Sequence, residues 1–163
     1  MKNLCKTIAA LSFIIVLFQA CKKDETEPQV NTPVNNNNTS CSYTTNVLVV
    51  DAVSKAVTGS SCFSNASDYT SEHYVNAMQS EGLTMIFNGT SAPAAGTYTA
   101  IGTFPVPAGK VFIEYFESIT AFQTTGGTVT VSDNGTSKIY TFCNLSFSDG
   151  TSSKTISARA TCN

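Results

Sequence analysis

Charge is scarce in this chain. Charged residues make up 12% of its 163 residues, about half the usual share. Ser, Thr, Asn and Gly supply the polarity instead, as is common on secreted β domains. From Cys41 onward eight acids stand against five bases, a net charge near −3 with no basic stripe, which argues against a nucleic-acid partner. Histidine occurs once, as His73, and no C-x-x-C pair is present, so a zinc set is not expected. No G-x-S-x-G elbow accompanies His73, although Asp68 and Glu72 lie close in sequence. A lone histidine in a polar stretch reads as a surface residue. No apolar segment after residue 20 is long enough to span a bilayer. These absences leave no catalytic set, no cofactor and no metal to expect.

What is present begins at the N-terminus. Lys2 and Lys6 form a basic region, Ile8 to Phe18 form an apolar run too short to span a bilayer stably, and Phe18-Gln19-Ala20 ends on Cys21. The strongly polar Lys22-Lys23-Asp24-Glu25 follows at once. This layout resembles a bacterial lipoprotein signal, with Ala20 at the small position of the box and Phe18 and Gln19 departing from its commonest form. The resemblance implies cleavage between Ala20 and Cys21 and a diacylglycerol thioether on Cys21. A single acyl chain holds a protein only marginally, and each further buried CH₂ adds about 0.8 kcal/mol. The two or three chains of a lipoprotein therefore hold permanently.

Residues 22–40 read as a tether. Pro28, Pro33 and the run Asn35 to Asn38 offer nothing to bury, so ordering them would not offset its entropy cost. Such a segment has a root-mean-square reach of roughly 25 Å and a contour limit of about 65 Å. The expected organisation is a signal peptide over 1–20, a lipidated Cys21 with its tether over 21–40, and one domain over 41–163. A domain of that size buries roughly two thirds of its unfolded surface.

Four cysteines fall in the domain: Cys41, Cys62, Cys143 and Cys162. An even number in an exported chain reads as two disulfides with three possible connectivities. Spacing favours the local pairs Cys41–Cys62 and Cys143–Cys162, each closing a loop that contributes about 3 kcal/mol in the chain-entropy model. The nested pairing, Cys41–Cys162 with Cys62–Cys143, is the alternative.

The domain is written in period two and punctuated by turn residues. Val47 to Val50 and Ala56 to Thr58 form a first hairpin around Ser54-Lys55, and 63–72 reads as a polar loop. Tyr74 to Met78, Leu83 to Phe87 and Gly96 to Thr99 read as strands. Val111, Ile113, Tyr115 and Ile119 alternate with Glu114 and Ser118 along another. Gly126-Gly127 leads into Thr128 to Ser132, and Asp133-Asn134-Gly135 is a type I′ hairpin signal. It lacks the downstream acids of a calcium loop. Lys138 to Phe147 returns with Ile139, Cys143, Leu145 and Phe147 assigned to one face, and Ile156, Ala158, Ala160 and Cys162 line the last strand. The fold class is all-β: an antiparallel two-sheet sandwich of eight or nine strands, or a flattened lipocalin-like barrel.

The C-K-K-D start at Cys21 resembles lipoproteins of Bacteroidota, and the acids Asp24, Glu25 and Glu27 resemble their surface-export signal. Gly96-Thr97-Tyr98, the Val111–Tyr115 strand, Gly126-Gly127-Thr128-Val129-Thr130-Val131 and Tyr140-Thr141-Phe142 look like the C-terminal part of small β-rich lipoproteins of that group. The resemblance covers about 70 residues. It implies an outer-membrane placement, outward-facing in preference to periplasmic, and it carries no activity.

Two candidate chemistries remain. Glu114 and Glu117, three apart on one strand, point to opposite faces and do not make a glycosidase pair. Phe112, Phe116 and Phe122 are placed on the face opposite Val111, Ile113 and Tyr115, where an uncovered sheet face would make them a binding patch. If that face is covered instead, by residues 63–80, the row is packing. The sequence thus points to a non-enzymatic, membrane-anchored module with a protein, small-molecule or glycan partner. A structural or assembly subunit is the alternative, and a hydrolase a remote third.

Overall fold

The computed structural model describes residues 41–162, so the signal, Cys21 and the tether lie outside the described residues. The domain is all-β. Its eleven strands are β1 (Val47–Val50), β2 (Val53–Ala56), β3 (Gly59–Ser64), β4 (Asp68–Tyr74), β5 (Glu81–Asn88), β6 (Gly96–Ile101), β7 (Lys110–Glu117), β8 (Thr120–Thr124), β9 (Thr128–Asn134), β10 (Ser137–Ser148) and β11 (Ser153–Cys162).

They form one mixed sheet in the order β2-β1-β11-β10-β9-β6-β7-β5-β4-β3, and β8 pairs with both β10 and β7. The ladders therefore make a closed circuit through β10, β9, β6, β7 and β8. The expected all-antiparallel pairing is corrected at one place, where β6 runs parallel to β7. Parallel neighbours usually need a long crossover. Here only Thr99 to Ile101 pair with Lys110 to Phe112, so the return path is short and residues 102–109 suffice.

Alternation explains the core. Leu83, Met85 and Phe87 of β5, Val111, Ile113 and Tyr115 of β7, and Val129 and Val131 of β9 are all buried, the spacing at which side chains share one sheet face. Tyr140 joins them from β10, its ring stacked 5.6 Å from that of Phe87. Gly82 is required by closeness and not by turn geometry. A Cβ there would collide with the His73 carbonyl and the Phe116 ring.

Several boundaries differ from the sequence reading, each for a local reason. The first hairpin turns at Asp51-Ala52, both at positive φ, so Ser54 and Lys55 lie within β2. Residues 59–74 form two strands, which the polar run Ser60-Ser61-Cys62 had disguised. Tyr74 ends β4, and 75–80 is a turn. Ile119 does not continue β7: Ser118 takes φ 58, the chain reverses, and Ile119 is fully exposed. In β10 the register shifts between Phe142 and Leu145, and Asn144 has φ 50. This bulge changes which parity faces inward. Tyr140 and Phe142 are buried before it, Leu145 and Phe147 after it, while Ile139 and Cys143 are only half-buried.

Candidate functional sites

The disulfides join Cys41 to Cys143 and Cys62 to Cys162. Neither the local nor the nested pairing holds. In the β10–β11 ladder Cys162 lies opposite Lys138, five residues from Cys143, and the bulge turns Cys143 away from the face that buries Cys162. Cys143 instead holds Cys41 and the 41–46 arm. Cys62 projects from the inner side of β3, at the end of the sheet path, and reaches Cys162 on β11.

The seam between β3 and β11 holds the histidine. Ser60 pairs with His73, and Cys62 with Ser71, across β3 and β4, so all four side chains point the same way. His73 is 1% exposed, which corrects the surface assignment. Its Nδ1 shares a hydrogen bond of 2.8 Å with Ser60 Oγ, and its Nε2 one of 2.7 Å with Ser71 Oγ. Ser71 Oγ also lies 3.2 Å from Cys162 Sγ. Burial lowers the His73 pKa to about 4, so the ring is neutral near pH 7.

The neighbouring acids turn elsewhere. Asp68 accepts from Asn65 Nδ2 at 2.7 Å, and Glu72 accepts from the Tyr74 hydroxyl. Burial, then the bond and charge of Glu72, push the Tyr74 hydroxyl up to about 12. The arrangement around His73 is thus Ser–His–Ser with no carboxylate joined to it. Above Ser60 opens a polar hollow of about 400 Å³ lined by Asn46, Thr58, Ser60 and Thr161 among others. Asn46 Oδ1 there accepts from Arg159 Nη1 at 3.1 Å and Thr161 Oγ1 at 2.7 Å.

The three phenylalanines do not form a row. Phe122 lies opposite Tyr115 in the β7–β8 ladder and is 5% exposed, so it belongs to the core face and not to that of Phe112. Phe112 is buried under Phe104, 4.3 Å between ring centroids. The cover comes from the 102–109 loop, pinned where Asn88 Nδ2 donates to the Val106 carbonyl at 2.9 Å, and not from residues 63–80. Phe116 alone is half-buried, meeting Tyr74 edge-on at 6.1 Å.

The remaining charges tie strands together. Lys55 of β2 pairs with Glu81 of β5, and Glu81 also accepts from the Tyr115 hydroxyl at 2.7 Å. Burial works to raise the Glu81 pKa, but the bonds from Lys55 and Tyr115 and the Lys55 and Lys154 charges bring it below the ordinary carboxylate value. Lys154 pairs with Glu117 at 3.0 Å and sits 5.1 Å above the Phe122 ring. Glu114 and Glu117 stay apart in function as in direction. Asp133 and Lys138 pair across the hairpin that turns at Gly135-Thr136. Among the described residues no group of His, Cys, Asp and Glu is placed to hold a metal ion, and no helix is long and apolar enough to cross a membrane.

A second hollow, of about 510 Å³, opens where the 41–46 arm meets the outer face of β1, β11 and the β10 bulge. Tyr43, Val49, Asp51, Asn144, Thr155 and Ser157 line it. Sequence reading missed both hollows, because each is assembled from segments about 100 residues apart. Comparison of the chain with protein families, curated proteins and solved structures found no match.

Proposed function

We propose that this chain is a lipid-anchored lipoprotein of a bacterial outer membrane, resembling the small β-rich lipoproteins of Bacteroidota, whose domain binds a ligand or partner without catalysis. The anchor reading rests on the run ending at Cys21 and the polar residues after it. The binding reading is carried by one observation: two open hollows lined by amide and hydroxyl groups, the second also by the Asp51 carboxylate, lie beside β1 and β11. Such concavities, with a few placed polar groups, are the usual form of small-ligand sites. A non-catalytic role is supported by His73, whose ring is withdrawn from solvent and engaged by two serines. A base needs an accessible nitrogen within reach of the proton it takes.

A structural or assembly role is the second reading, favoured by Met78 and Ile119, which are 87% and 100% exposed. Their turns are joined where Ser118 N donates to the Ser80 carbonyl at 2.6 Å. Capture from intact envelopes separates the two. On the binding reading Met78→Ser with Ile119→Ser retains the captured ligand or partner. Loss of all capture in that variant favours the assembly role.

A further inference from the structure

We propose that the hollow between Tyr43 and Asp51 is a binding site for a neutral carbohydrate ring. This deepens the binding reading above and rests on it. The site is built by four separate stretches of chain: the 41–46 arm, the end of β1 with its turn, the β10 bulge and β11. Asp51 is held by reciprocal bonds to β11: its backbone N donates to the Thr155 carbonyl at 2.9 Å, and Thr155 N donates to Asp51 Oδ1 at 2.9 Å. One carboxylate oxygen is thereby fixed and the group's plane set. Ser157 is buried at 4% exposure, and its Oγ accepts from Asn144 N at 2.8 Å and donates to Asn144 Oδ1 at 3.2 Å. These bonds fix the bulge that forms the floor, and bulges recur beside binding sites because they re-aim side chains. The fourth stretch is the arm carrying Tyr43, held against β10 two residues away by the Cys41–Cys143 disulfide.

The lining selects the ligand class. It offers the Tyr43 ring and hydroxyl, the Asp51 carboxylate and the Thr155 hydroxyl, with Val49 and Ala52 as apolar contacts and no Lys or Arg, while Ser157 and Asn144 are bonded to each other beneath. A pyranose presents C–H groups on its faces and hydroxyls around its rim, so it packs on an aromatic ring and bonds laterally to carboxylate and hydroxyl. Two adjacent hydroxyls suit a fixed carboxylate particularly well. Anionic ligands, such as phosphates or uronic acids, meet Asp51 with no cation to offset it. A flat aromatic ligand without hydroxyls has nothing to donate to the Asp51 carboxylate. A volume of about 510 Å³ admits one to two sugar rings.

The test is saturation-transfer NMR on the mature, disulfide-intact chain with a panel of free neutral tetrasaccharides built from glucose, mannose, galactose and N-acetylglucosamine. At least one member is expected to receive saturation on its ring C–H protons. Tyr43→Ala is expected to weaken that binding about tenfold, as loss of an aromatic anchor does, while Tyr43→Phe retains most of it. Asp51→Asn is expected to weaken it, and Ser60→Ala, at the other hollow, to leave it unchanged. Wild-type affinity in both Tyr43→Ala and Asp51→Asn overturns the assignment, as does a panel with no binding member. If envelope capture still succeeds in either case, only this site fails and the binding reading stands. If Ser60→Ala alone abolishes sugar binding, the site lies in the other hollow and this proposal is wrong.

Discussion

Cys62 and Cys162 are 100 residues apart in sequence and 6.0 Å apart between Cα atoms, which brings β3, at the end of the sheet path, against β11 near its other end. The bond ties β3 to β11 where no hydrogen-bonded ladder joins them.

Non-reducing peptide mapping should recover Cys41 linked to Cys143 and Cys62 linked to Cys162. Each bond closes a loop of about 100 residues, which in the chain-entropy model contributes about 4 to 5 kcal/mol, against about 3 for the local pairs. Cys62→Ser with Cys162→Ser should therefore lower the denaturant midpoint by about 1 M or more, with a steeper slope because the unfolded chain without the cross-link exposes more surface. A Cys143–Cys162 peptide would contradict the sheet path itself.

His73 should make stability depend on pH between about 5 and 6.5, above the ordinary carboxylate range, because it is the only histidine. Its folded pKa, about 4, lies below the unfolded value of about 6.5. The unfolded state therefore binds more protons between these values, and stability rises with pH through the window. The contribution is full above pH 6.5 and is lost as pH falls toward 4, about 3 kcal/mol in all. Urea melts of wild type and His73→Gln from pH 7 to 4.5 check this. The wild type should weaken steadily and the variant should show a flatter profile. Equal slopes would mean that His73 is not buried as a neutral ring.

Phe122→Ala and Phe112→Ala should each cost about 3 to 5 kcal/mol, the range for emptying a packed aromatic site. Thermal melts should drop by many degrees in both variants. An unchanged melt for either would show that this ring is not packed as described.

Gly82→Ala should destabilise by about 1 to 3 kcal/mol, an overpacking cost, since the added methyl meets the His73 carbonyl and the Phe116 ring. Trimming Phe116 to Leu in the same chain should recover only the side-chain part of that loss. Neutrality of Gly82→Ala would show that β4 and β5 are more loosely apposed than described.

The legible parts of this fold are those whose turns and faces are encoded locally. Asp149-Gly150 opens the last hairpin loop, and Ile156, Ala158, Ala160 and Cys162 mark the buried face of β11, as expected. The β9–β10 hairpin forms where expected, but Asn134 still pairs with Ser137 and the turn is Gly135-Thr136, with Gly135 alone at positive φ. β3 and β4 were hidden because Ser60, Cys62, Ser71 and His73 occupy the inward positions where aliphatic residues usually signal a strand. Tyr69-Thr70, both strand formers, were the available hint. β8 was hidden by brevity, having two inward residues, Phe122 and Thr124. The bulge at Cys143-Asn144 defeated the face assignment of β10, since a single extra residue reverses parity. Disulfide partners and both hollows depend on which strands the sheet path brings together, and no spacing rule within 20 residues contains that information.

Metabolic labelling with an alkyne palmitate analogue tests most directly the proposed lipid on Cys21 that would hold the binding domain at the membrane. Wild type should be labelled and fractionate with the outer membrane, whereas Cys21→Ala should be unlabelled and released, because no other mature segment has the length and apolarity to retain it. An unlabelled wild type, or a Cys21→Ala variant that stays in the membrane fraction, would contradict the account.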